Sequence, residues 1–174
     1  MTISELLLPE YDKEIAITRR VLERVPDDKG EFRPHPKSFP MAHLAQLVAR
    51  MPGWVAMVLK QTEIDFAPVD GPKFPGYSYE TTATLLAEFD RNAAAGHAAI
   101  AAAGDDDFRV TWTSKRAGEV LETTTRYGML RSAVINHLVH HRAQLGVYLR
   151  LVEVPVPEMY GPTADEGKEP PSEG

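Results

Sequence analysis

The chain has 174 residues, with 19 basic and 25 acidic side chains for a formal charge of −6, and it contains no cysteine. Disulfides, thiolate metal centres, iron–sulfur clusters and a cysteine nucleophile are therefore excluded. A composition of 43% hydrophobic and 25% charged residues is that of an ordinary soluble globular domain rather than a disordered chain.

The charge is uneven. Six acids and one base, Lys168, lie from Glu153 onward, a net of −5, which leaves only −1 for the first 152 residues. A nearly neutral body without a Lys/Arg cluster lacks the footprint of a nucleic-acid surface. No apolar run approaches the ~18 residues of a membrane span. The start, MTISELLLPEYDKE, has no basic segment ahead of its apolar residues. A cytoplasmic protein with neither membrane nor nucleic acid as partner is expected.

In chain order, residues 2–25 predict helix one, with Leu7, Tyr11, Ile15, Thr18, Val21 and Leu22 on one stripe and Thr2 or Ser4 as its cap. Pro9 offers an alternative start. PDDKG and RPHPKSFP then read as turn and ordered loop. Helix two runs from Pro40 to about Ile64, with a core stripe from Leu44 to Leu59 and a kink at Pro52. Residues 65–80 read as a long loop that packs through Tyr77 and Tyr79. Helix three spans about 81–103 and ends at GDDD. RVTWT, a KRAG turn and EVLETTT form a short β-hairpin. Helix four spans about 125–152 and stops at Pro155 and Pro157. The expected fold is all-α, an antiparallel four-helix bundle with a short β-hairpin between helices three and four. One domain over 1–166 is expected, followed by a flexible acidic tail, 167–174.

Chemistry concentrates on helix four. His137 and His141 are four apart and share a face with Leu130, Val134, Leu138, Leu145 and Tyr148. Two imidazoles so spaced either hydrogen-bond in the core or hold one metal ion. Without cysteine, a third ligand must be His, Asp or Glu. His43 lies at the margin of the apolar face of helix two. Glu14 lies in the middle of the stripe of helix one, and a buried carboxylate there needs a partner, such as Tyr148 or an imidazole. His35, His97 and His140 read as exposed or structural. Glycine-rich phosphate loops, HExxH and GxSxG are absent from the sequence.

The stretch HLVHHRAQLGVYLRLVEVPVPEMYGPTADE, 137–166, resembles the C-terminal signature of the DinB-like (damage-inducible, YfiT-like) superfamily. RPHPKSFPM at 33–41 and PGW at 52–54 fit the same family. The resemblance implies a four-helix bundle, usually a homodimer, with a divalent metal such as zinc or nickel held by three histidines. Two of these map onto His137 and His141. Counting back from Trp54, the third falls on Leu47, with His43 one turn earlier, and a turn is ~5.4 Å along the axis. The implied activities are metal-dependent hydrolysis or transfer of a low-molecular-weight thiol to an electrophile, with Glu14 as candidate base or outer partner. Leu47 leaves open the alternative of a metal-free, non-catalytic dimeric binding protein.

Overall fold

Thr2 decides where the first helix begins. Its side chain accepts from the Glu5 amide while the Glu5 carboxylate accepts from the Thr2 amide, a reciprocal cap for α1 (Ile3–Leu22). The helix therefore runs through Pro9 rather than starting there. The computed structural model describes residues 1–71 and 76–166. The expected acidic tail, 167–174, lies outside the described residues, as does part of the expected loop 65–80.

Helix two is interrupted where Pro52 predicts a kink. α2 (Met41–Arg50) passes through one tight 3₁₀ turn, Met51–Gly53, into α3 (Trp54–Lys60). It ends four residues before the expected boundary, because Glu63–Asp65 forms a strand, β1, in place of helix and loop. α4 (Thr82–Ala102) is capped by Thr81 and matches the third expected helix. GDDD does not only stop it, for Asp105–Arg109 forms a further short helix, α5.

The expected hairpin is present as β2 (Thr111–Arg116) and β3 (Glu119–Thr125). Ala117 and Gly118, both with positive φ, make its turn. β1 adds to β2 in parallel, so the sheet has three strands in the order β1-β2-β3 rather than two. The Asp65 carboxylate accepts from the Ala67, Ala117 and Gly118 amides, and this holds its pKa below the usual carboxylate range.

The last helical run comprises α6 (Arg126–Met129), a π-helical segment Leu130–Asn136, and α7 (His137–Leu151). The fold is thus mostly helical, with a small sheet. α4 packs along α1, α2 and α3, and α7 lies against α1 and α2. The buried side chains divide into two clusters. One gathers Leu22, Leu44, Val48, Phe89, Leu145 and Leu149. The other gathers Leu7, Tyr11, Ile100, Phe108, Trp112 and Leu130. Gly96 lets the layers close at the middle, since a Cβ there would lie 2.7 Å from the Pro52 carbonyl oxygen and against the Tyr11 hydroxyl. No helix among the described residues is long and apolar enough to cross a membrane.

Candidate functional site

The π segment widens the helix just before His137. Its i→i+5 turns take more residues per turn than an α-helix, so they change the phase of everything after Asn136. With that phase, Leu138, His141 and Leu145 are buried and His137 is half-buried. Both imidazoles face inward, as their spacing predicts.

Their Nε2 atoms meet at 2.9 Å. His141 Nδ1 lies 2.7 Å from Gln144 Oε1, an acceptor, which places the His141 proton on Nδ1. His141 thus spends its one hydrogen on Gln144, and its bare Nε2 lone pair faces His137 Nε2. His137 also feels the Ala133 backbone one turn back, which opposes part of the lowering that burial causes. Burial pushes both pKa values down, only partly opposed by the Ala133 and Gln144 hydrogen bonds. Burial therefore disfavours adding a charge-bearing proton to either ring. A cation that accepts lone pairs is a better occupant between them, and imidazoles anchored through their far nitrogen are the usual arrangement of metal-binding histidines. On donor chemistry the pair fits two ligands of a divalent ion.

A third ligand is not in place. Among the described residues no three His, Asp or Glu side chains are grouped so that they could hold a metal ion. Leu47 is a core residue, 7% exposed. His43 stacks on Phe39, with ring centres 4.2 Å apart and an interplanar angle of 5°, and leans on Tyr77 at 4.5 Å. It is near enough for charge on it to depress His141. His140 is exposed, its ring 4.9 Å from that of His141. His97 pairs with Asp12 at the surface.

Glu14 is buried as expected, but its partners are different from those the sequence suggested. Its Oε2 forms an ion pair with Arg142 Nη1 at 2.7 Å and accepts from the Tyr160 hydroxyl at 2.7 Å. Arg142 also donates to the Glu14 carbonyl and Thr18 Oγ1, each at 3.1 Å, and to the Tyr160 hydroxyl at 2.8 Å. Tyr148 donates to the Phe39 carbonyl instead. The Glu14 carboxylate hydrogen-bonds no histidine. Arg142 follows His141 in sequence, so this network fixes the helix turn that carries the pair.

Two cavities flank the imidazoles. His141 lines one of about 410 Å³ with Lys37, Ser38, Phe39, Gln144 and Tyr148. His137 lines the other, of about 370 Å³, among apolar side chains.

The DinB superfamily model matches residues 10–145, a span that includes both histidines. The chain belongs to the DinB superfamily. Among solved structures, a DinB-like protein from Bacillus cereus shares 19% identity at a TM-score of 0.69, covering 91% of this chain and 98% of that one. A DinB-like protein from Bacillus subtilis shares 15% at 0.65, covering 88% and 97%. At such identities the likeness is one of fold. No curated protein matches the sequence. Within this DinB chain, sequence reasoning missed Gln144, Ala133, Arg142 and Tyr160. Arg142 carried a usable signal, since it stands four after Leu138 and three before Leu145, on the buried stripe.

Proposed function

We propose that this DinB-superfamily chain is a metal-dependent enzyme, a hydrolase or a thiol S-transferase, whose divalent cation (zinc or nickel) is held by His137 and His141 with His43 as the third imidazole. The observation that carries this reading is the 2.9 Å approach of the two Nε2 atoms, with the His141 hydrogen held on Nδ1 by Gln144. A bound cation would supply Lewis-acid activation of a water or of an external thiol. The chain's own contribution is positional. Gln144 sets the His141 tautomer, and the Glu14–Arg142–Tyr160 network holds the turn. His43 would have to leave its stack on Phe39. Glu14, the candidate base by sequence, serves here as that support. In the same reading the helices form an antiparallel four-helix bundle, the protein is a cytoplasmic homodimer, and its partners are small molecules.

A second reading is favoured by one observation. Leu47 fills the expected third position and no three-group cluster forms. On that basis the chain is a metal-free, non-catalytic dimeric binding protein with His137 and His141 as hydrogen-bonded wall residues. Metal analysis of tag-free protein after reconstitution with zinc or nickel separates the two. The enzyme reading expects about one ion per chain, falling below about 0.1 in His137→Ala. Wild-type protein below about 0.1 would leave the metal-free reading standing.

A further inference from the structure

The cavity on the His137 side is described by neither reading. It lies between α3, the small sheet and the π segment, and Trp54, Met57, Ile64, Trp112, Val134 and His137 are among its walls. Its volume, about 370 Å³, falls within the range of small-molecule sites. No Lys, Arg, Asp or Glu is among its described lining residues. A charged guest would lose its hydration there and find no counter-charge. Trp112, 1% exposed, keeps its indole Nε1–H buried without any hydrogen-bond partner. Buried donors are rarely left so, and Trp112 is one of the residues that line this cavity. The π segment supplies the third observation. Such segments concentrate at functional sites, and this one puts the small Ala133 side chain into the wall, with His137 immediately after it.

We propose that this cavity is a binding site for an uncharged, ring-sized apolar molecule carrying one hydrogen-bond acceptor, which takes the Trp112 indole N–H. The guest lies against His137, so the cavity sets which substrates or ligands reach the histidine pair. Its walls are protein alone, and the site therefore does not depend on the metal reading.

The probe is acetophenone, a neutral ring with one carbonyl. Benzoate, the same ring with a carboxylate, is the control. Full-length, nitrogen-15-labelled protein is treated with chelator first, so that a missing metal cannot cause a failure. The chain has two tryptophans, so two indole N–H signals are followed and Trp54→Phe assigns them. Acetophenone is expected to move the Trp112 signal saturably, with a Kd below about 1 mM, and benzoate to bind at least about tenfold more weakly. Trp112→Phe is expected to weaken acetophenone roughly three- to tenfold, the worth of one hydrogen bond. Ala133→Phe, which fills the cavity from its wall, is expected to abolish binding. No saturation by about 10 mM, benzoate binding as tightly, or undiminished binding in Trp112→Phe or in Ala133→Phe would each overturn the proposal.

Discussion

Arg142 is 0% exposed, and its guanidinium is the counter-charge of a carboxylate whose side chain is only 7% exposed. Replacing it as Arg142→Leu removes three hydrogen bonds, to the Glu14 carbonyl, Thr18 and Tyr160, and with them the ion pair to the Glu14 carboxylate. The Thr18 hydroxyl keeps its own bond to the Glu14 carbonyl at 2.7 Å, and Glu14 keeps the Tyr160 hydroxyl. What Glu14 loses is its cation. Breaking a buried pair from one side costs about 3–5 kcal/mol, because the remaining charge stays buried. A whole domain is held by only about 5–15 kcal/mol. For a chain of this length each kcal/mol moves Tm by about 2–4 °C, so a fall of roughly 6–20 °C is expected. The double variant Glu14→Leu/Arg142→Leu removes both charges. Its main defect is a Tyr160 hydroxyl without partners, on a ring that is 60% exposed and so within reach of water. It should recover all but about 1–2 kcal/mol. Urea unfolding followed by far-ultraviolet circular dichroism gives each corner of the cycle. A single variant within about 1 kcal/mol of wild type, or a double variant no better than the single, would refute the reasoning.

Asp165 is held below the usual carboxylate range, chiefly by its Arg150 hydrogen bonds and then by the Val156 amide. A depressed folded-state pKa adds stability that is present above the unfolded value of about 4 and lost as pH falls through the folded one. Asp165→Asn should therefore flatten the fall of Tm on the acid side of about pH 4, and an unchanged acid limb counts against this. Gly96→Ala forces a Cβ against the Pro52 carbonyl and the Tyr11 hydroxyl. It should cost about 1–3 kcal/mol in thermal unfolding, and an unchanged Tm would show that the helices do not meet so closely. If the histidine pair holds a cation, chelator should lower the wild-type Tm by several degrees and leave His137→Ala unmoved, since an ion bound only to the native state must stabilise it. Equal responses of the two proteins would contradict that.

What the sequence disclosed is what local pattern encodes. Thr2 is one of two caps offered for the first helix, Pro52 marks a break, GDDD follows the end of the third long helix, and the i, i+4 histidines share a buried face. What it hid depends on partners far away along the chain. β1 becomes a strand because β2, some fifty residues later, offers it an edge. Tyr160 reaches Glu14 across 146 positions. The π segment escaped for another reason. LRSAVIN has no composition of its own, and its wider turns are the outcome of packing on both sides. The third-ligand question has the same root: whether His43 turns from Phe39 toward His141 is a matter of tertiary competition, which spacing along helix two does not encode.

The seven residues from Leu130 to Asn136 also mark a boundary between interiors. Leu130, Val134 and Ile135 belong to one buried cluster, while Leu138, Leu145 and Leu149 belong to the other. One continuous helical run thus contributes to both cores. His137 stands at that seam, where Ile15 and Trp54 pack against both sides. Fluctuations there need breach neither core, so amides of the seam should exchange with solvent water ahead of those in α1 or α4. A guest could then enter and leave beside His137 while both interiors remain shut.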